Sequence, residues 1–413
     1  MRFATGAVLL VIVAVLAGLG AVAFTGDDGG NLSERWVSDT GRDMKGNHHA
    51  PAAATIGDRS FVFAPISDRG NGTGCGLFAL DSETGNTVWR HQVPPANCTI
   101  HAVADPTVSD FDGDGTPEVL AASTEERVTA YDARSGDEAM RHELEDYGYT
   151  QPVVANLSPD SGREIAVVDV NGKLSVVRGN GTEAWSRALG GRVLAQPTAA
   201  DFDTDGDAEL AVGIGTLDGG RVVLTDGNNE TVWQNDDIDD SILWMGSGQA
   251  DGDQPIEISV ATSGGEIVVL DGADGSVEWR RSVGELAAVG DISDGDEDGN
   301  PEVYAVSKEG TLFALDATDG SVEWETSLTT KTQMTPPPIV GDVDGDDETE
   351  IVAATNDGKV TVIGPDSGNV LATYERSVTI YTHPTLADLN GDGAEEIYVI
   401  YGDGRVVSLS YES

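Results

Sequence analysis

Residues 195–233 read Ala195-Gln-Pro-Thr-Ala-Ala-Asp201-Phe-Asp203-Thr-Asp205-Gly-Asp207-Ala-Glu209-Leu-Ala-Val-Gly-Ile-Gly215-Thr-Leu-Asp-Gly-Gly220-Arg-Val-Val-Leu-Thr225-Asp-Gly-Asn-Asn-Glu230-Thr-Val-Trp233. Short apolar runs with period two alternate with Gly/Asp/Asn turns, which predicts strands. The four are Pro197–Asp201, Glu209–Ile214, Arg221–Thr225 and a last one from Thr231 through Trp233. An acidic loop separates the first two strands. A Gly-containing turn separates the last two and supplies a backbone with φ > 0.

This stretch recurs along the chain. Its last hairpin returns at Leu77–Trp89, Val128–Met140, Leu174–Trp185, Val222–Trp233, Ile267–Trp279 and Leu312–Trp324, with a worn copy at Val360–Leu371. The anchors Trp89, Met140, Trp185, Trp233, Trp279, Trp324 and Leu371 are spaced by 45 to 51 residues. Four antiparallel strands at such a period predict the blades of an all-β propeller. Seven units are complete between His48 and Arg376, and an eighth, Thr382–Ser413, lacks its outermost strand. Ser33-Glu-Arg-Trp36-Val-Ser carries the missing phrase, and Trp36 stands 53 residues before Trp89. Pairing that strand beside Arg405-Val-Val-Ser-Leu would close the ring with both chain ends and leave no open edge. Eight blades are therefore expected, with seven if the closure fails. The anchor tryptophans are read as packing between blades.

The second recurring motif is Asp-x-Asp-x-Asp-Gly-x-x-Glu between strands one and two. Its copies are Asp110, Asp112, Asp114 and Glu118; Asp201, Asp203, Asp205, Asp207 and Glu209; Asp294, Asp296, Asp298 and Glu302; Asp342, Asp344, Asp346 and Glu350; and Asp388, Asn390, Asp392 and Glu396. Calcium takes six to eight hard oxygens, and carboxylates alternating in a tight loop converge on one point. Gly after the third acid allows the sharp turn, residue seven offers its carbonyl, and Glu at nine can bind through both oxygens. An EF-hand differs in carrying its Glu at twelve and opening into a helix. About five Ca2+ sites are expected, in units two, four, six, seven and eight. The loops at 156–164 and 249–257 keep only part of the set, so binding there is doubtful, and the first unit, around Thr55-Ile-Gly-Asp58, lacks it.

These loops resemble the FG-GAP/VCBS repeats of integrin α-chain propellers. The hairpins, such as Leu312-Phe-Ala-Leu-Asp-Ala-Thr-Asp-Gly-Ser-Val-Glu-Trp324, resemble the PQQ-like repeat of quinoproteins. Together the resemblances span about Trp36 to Ser413. They imply architecture more than function, since one propeller fold serves many roles. The quinoprotein dehydrogenases carry adjacent cysteines beside the quinone, whereas Cys75 and Cys98 lie 23 apart here. That part of the resemblance does not extend to cofactor binding.

Lys+Arg total 23 against 72 Asp+Glu, giving a formal charge of −49 and a pI near 4.1. Such a chain excludes nucleic acid as a partner, because polyanion binding rests on basic side chains. Beyond the loops the scattered acid suits a solvated surface in concentrated salt, and with only five lysines the profile resembles proteins of salt-loving archaea. Ala7 to Phe24 is an uninterrupted apolar run of 18 residues, preceded by Arg2 and followed by Asp27 and Asp28. It predicts one membrane-spanning helix with the propeller outside the cell, or a secreted protein if Ala21-Val-Ala23 is a cleavage site. The organisation expected is a signal anchor or signal peptide over 1–25, a linker over 26–32 and a propeller over 33–413. Export fits one disulfide between Cys75 and Cys98. It fits also the sequons at Asn31, Asn71, Asn97, Asn156, Asn180 and Asn229.

Function is less legible. In a four-stranded blade the one–two and three–four loops share a face, so calcium rings one rim. The opposite face is then the freer surface for a protein or glycan partner. A monomeric, non-enzymatic cell-surface scaffold is the leading reading. The alternative is a propeller enzyme, a quinoprotein-type oxidoreductase or one acting on polysaccharide. No Gly-x-Ser-x-Gly, His-Glu-x-x-His or Cys-x-x-Cys occurs, so known nucleophile and zinc motifs are absent. A sensor ectodomain would need a partner to signal through. His49, His101 and His383 precede innermost strands and would meet at the channel mouth as a metal or anion site, or as polar plugs. Gln151-Pro152 and Gln196-Pro197 in the same slot favour plugs.

Overall fold

The computed structural model of the chain describes residues 30–41, 44–69, 72–157 and 162–412. The apolar run at 7–24, its cleavage site, Asn71 and Asp160 lie outside these. Among the described residues, no helix is long and apolar enough to cross a membrane.

Eight four-stranded antiparallel sheets form the propeller, seven of them from four consecutive strands. Blade 1 runs from Ala52–Ile56 to Thr87–Gln92, blade 2 from Thr107–Ser109 to Glu138–Glu143, and blade 3 from Val153–Ala155 to Glu183–Ala188. Blade 4 runs from Thr198–Ala200 to Thr231–Ile238, blade 5 from Ile242–Gly248 to Val277–Ser282, blade 6 from Ala288–Val289 to Val322–Ser327, and blade 7 from Ile339–Gly341 to Val370–Glu375. Blade 8 has the order Asn31–Val37, Val406–Glu412, Glu396–Ile400, Thr385–Ala387. Its outermost strand is the N-terminal one, paired Asn31 to Glu412 through Val37 to Val407. The ring is thus closed by both chain ends, as Trp36 implied, and the blade number is eight.

The second strand of each blade is the most apolar. Glu118–Ser123, Glu164–Val168 and Glu350–Ala354 are buried throughout, because both faces pack on neighbouring blades. The outer strand alternates, and its anchor spans the seam to the next blade. Trp36, Trp89, Trp185, Trp233, Trp279 and Trp324 each donate from Nε1 to a carbonyl in the next blade's last turn, those of Ser82, Ala133, Gly227, Gly272, Ala317 and Pro365, at 2.6–3.1 Å. The Gly of that turn has two reasons to be Gly. Gly320 has φ +71°, and a Cβ there would stand 2.5 Å from the Trp279 ring. A one-residue register shift beside each anchor, such as Ala314/Leu315, turns the ring toward its neighbour.

Trp279 is 8% exposed. Trp279→Ala is expected to cost about 3–5 kcal/mol, whereas Trp279→Phe, which keeps most of the packing and gives up the Ala317 bond, should cost about 1 kcal/mol. Denaturant unfolding of both variants measures the difference. Equal costs would contradict a packing role.

Candidate cation sites and the channel mouth

Each acidic loop is wired by its own carboxylates to its own backbone. At position one, Asp110 Oδ1 accepts from Gly113 N at 2.9 Å and its Oδ2 from Gly115 N at 3.0 Å. At position three, Asp112 accepts from Asp114 N at 3.1 Å, and at position five Asp114 accepts from Thr116 N at 2.7 Å. The same ladder appears at Asp201, Asp203 and Asp205, at Asp294, Asp296 and Asp298, at Asp342, Asp344 and Asp346, and at Asp388, Asn390 and Asp392. Positions four and six are left-handed. Thr204 and Glu297 occupy position four at φ 64° and 58°, and Asp347 occupies position six at φ 72° where other copies have Gly. Such strain at non-Gly residues persists only where the surroundings fix it.

Glu at position nine opens strand two with its carboxyl turned back under the loop. Its Oε2 accepts from the amide of position two: Phe202 N at 2.9 Å for Glu209, Gly295 N at 3.0 Å for Glu302, Val343 N at 3.0 Å for Glu350 and Leu389 N at 3.2 Å for Glu396. Burial, reinforced by nearby carboxylates, pushes Glu118, Glu209, Glu257, Glu302 and Glu350 up to about 7. Five groups bring ligand oxygens within 4.8 Å of one another: Asp110, Asp112 and Glu118; Asp201, Asp203 and Glu209; Asp251, Asp253 and Glu257; Asp294, Asp296, Asp298 and Glu302; Asp342, Asp344 and Glu350. Asp114, Asp205, Asp207 and Asp346 stay outside their groups, whereas Asp298, which likewise accepts from its position-seven amide, joins its own.

Two loops depart from the sequence reading. Loop 249–257 forms a full group although its first position is not acidic. Gln249 Oε1 accepts from Asp251 N at 3.0 Å and Gly252 N at 2.6 Å, which does the backbone work of the missing Asp. Asp at three and five with Glu at nine was the signal available. In blade 8, Glu396 Oε1 is instead held by Arg35 of the closing strand and by Asn390.

The opposite face carries the four–one connections. Cys75 and Cys98 are joined there by the expected disulfide, and both are buried in the core between blades 1 and 2. At the channel mouth, His49 Nδ1 lies 3.0 Å from Asp105 Oδ1, and His101 Nδ1 lies 3.3 Å from His49 Nε2. His48, unnoticed in the sequence because only its neighbour fits the recurring slot, stacks on Tyr381 with centroids 4.4 Å apart. His383 stands apart, edge-on to Trp244 at 6.3 Å. Burial, then His49 and Arg69, lowers His48 to about 4; burial, then His49, His48 and Arg192, lowers His101 to about 3. Gln196 Oε1 accepts from Gln151 N and Gln196 Nε2 donates to Asp105 Oδ2, both at 2.5 Å, and the two glutamines line the mouth. A cavity of about 410 Å³ continues down the axis, lined by Gln151, Gln196, Trp244, Asp291 and His383 among others.

Against known proteins, the sequence profile of the family described as outer membrane protein assembly factor BamB matches residues 7–158, 127–294 and 218–413. Similar solved structures include BamB from Moraxella catarrhalis, at 16% identity and TM-score 0.61, covering 92% of this chain and 99% of that one. The V. cholerae biofilm matrix protein Bap1 aligns at 14% identity and TM-score 0.68 over 93% and 91%. The quinohemoprotein alcohol dehydrogenase of Comamonas testosteroni aligns at 12% and 0.65 over 92% and 76%. These likenesses show the fold. No curated protein sequence matches the chain significantly.

Proposed function

This chain belongs to the family of outer membrane protein assembly factor BamB, and on that premise we propose that it is a calcium-stabilised, non-enzymatic scaffold on the outer side of the cell membrane. The observation that carries the calcium is a set of orphaned oxygens. Glu118 Oε2, Asp201 Oδ1 and Asp294 Oδ1 are buried without a hydrogen-bond partner, and all three lie in acidic loops. An unpaired buried carboxylate oxygen costs on the order of 1–3 kcal/mol or more, and a cation bound in each of these three loops would satisfy it. Calcium fits because every donor is a hard oxygen and the loops offer several per site.

The rim of loops is then a stiffened edge, and the face of four–one connections is left to a protein or glycan partner. Attachment runs through residues 7–24, and the scattered acid keeps the disc soluble in concentrated salt. A family named for membrane-protein assembly is in keeping with a scaffold of this kind. The enzyme alternative draws on the alcohol dehydrogenases that share the fold. The Cys75–Cys98 disulfide is a strut within the blade core and does not border the axial cavity, so the residues present do not fit a quinone held on a cysteine pair. Incubation with pyrroloquinoline quinone and calcium is expected to give no retained cofactor after gel filtration and no alcohol-dependent dye reduction. Retention accompanied by dye reduction would overturn the non-enzymatic reading.

A further inference from the structure

His101 packs edge-on against both His48 and His49, with centroids 5.1 and 5.4 Å apart, so three of the chain's six histidines meet at one end of the channel. We propose that His49 Nε2 and His101 Nδ1 form a site for a borderline transition-metal ion of the zinc, copper and nickel class, distinct from the acidic loops and on the opposite face. The spacing is the first argument. Metal–nitrogen bonds of about 2.0–2.1 Å at a tetrahedral angle place two imidazole nitrogens roughly 3.3–3.4 Å apart, and the two nitrogens here are 3.3 Å apart. In the metal-free protein a proton shared between them holds that distance. On binding, the ion takes its place and His101 changes tautomer, giving up its Nδ1 proton to solvent and taking one at Nε2, so that two neutral imidazoles face the ion with no net proton release.

The second argument is how His49 is held. Its Nδ1–H donates to Asp105, which fixes the tautomer and aims the Nε2 lone pair at His101. Asp105 is itself pinned by Ala50 N at 2.7 Å and by Gln196 Nε2 at 2.5 Å. A carboxylate behind an imidazole is the recurrent support of a metal-binding histidine. The third argument is His48, whose Nε2 is buried with no hydrogen-bond partner beside the pair and can join by turning its ring. Arg69 and Arg192 border the cluster and oppose a cation, while Asp105 offsets them within it. Imidazole donors separate this site from calcium, which takes oxygen.

The test is a titration of the full chain, held in millimolar calcium so that the acidic loops are filled, with Co2+ followed by its visible absorption. One equivalent should bind with the strong absorption of a tetrahedral, nitrogen-ligated ion, and Zn2+ should displace it. His101→Gln should weaken binding at least tenfold, and Asp105→Asn by 10- to 100-fold, while His91→Gln, remote from the channel mouth, leaves it unchanged. If Asp105→Asn fails to fold, the half-buried His101 still carries the test. Binding that calcium abolishes, or that His101→Gln leaves intact, would overturn the proposal, as would no binding at all.

Discussion

Stripping calcium from the folded protein is expected to lower its thermal midpoint by about 15 °C. Each site held at a hundredfold excess over its dissociation constant adds about 2.7 kcal/mol, so five sites add on the order of 13 kcal/mol. Unfolding entropy near 2.1 cal/mol/K per residue gives roughly 0.8 kcal/mol/K for a ring of this length. The loss should be concentrated in blades 2, 4, 5, 6 and 7, where the carboxylates converge. Blade 8 should respond least, since Arg35 already supplies positive charge to Glu396. A chelator titration followed by calorimetry in molar salt measures both the shift and its saturation. A midpoint that ignores the chelator would show that the loops are acidic hairpins and nothing more.

Deleting Asn31–Val37 should have an effect of comparable size. That strand contributes the whole outer edge of blade 8, with Leu32 and Trp36 buried and Trp36 bonded across to Ser82 of blade 1. Arg35 and Glu34 add polar ties to Glu396 and to the Tyr374 hydroxyl. Without the strand, Val406–Glu412 becomes an open edge ready to pair with another chain, and the seam between the first and last blades loses its tryptophan. The expected product is aggregated or domain-swapped, with no cooperative monomer transition. Adding the missing segment as a synthetic peptide should restore the monomer on sizing chromatography. A truncated chain that stays monomeric and melts like the parent would contradict closure by both ends.

The blades were legible because each repeat has to solve the same packing problem, setting a large apolar anchor, Trp in six blades and Met140 or Leu371 in the other two, against its neighbour. Trp36 was readable as the eighth anchor for that reason alone, across more than 370 residues of intervening chain. The ligand loops were legible for a related reason, since spacing within nine residues fixes where each carboxylate points. Loop 249–257 brings Asp251, Asp253 and Glu257 together although it keeps only part of the motif, because Gln249 replaces a charge yet makes backbone bonds that shape the turn. The channel mouth was only half legible. His49, His101 with Asp105, Tyr149 and Gln196 come from successive connections, but these residue types do not repeat from one connection to the next, and Tyr381 joins His48 only through ring closure, so there is no local period to read. Trp244 escaped for the opposite reason. It is the one tryptophan outside the anchor series, on an innermost strand facing the axial cavity.

The most direct test of the account is to count and place the bound calcium. Native mass spectrometry of the protein dialysed against calcium, with a crystal soaked in a lanthanide for anomalous scattering, gives both number and position. The account predicts five ions, at the loops headed by Asp110, Asp201, Gln249, Asp294 and Asp342, all on one rim. An empty rim, or ions bound at scattered surface carboxylates with these loops vacant, would contradict it.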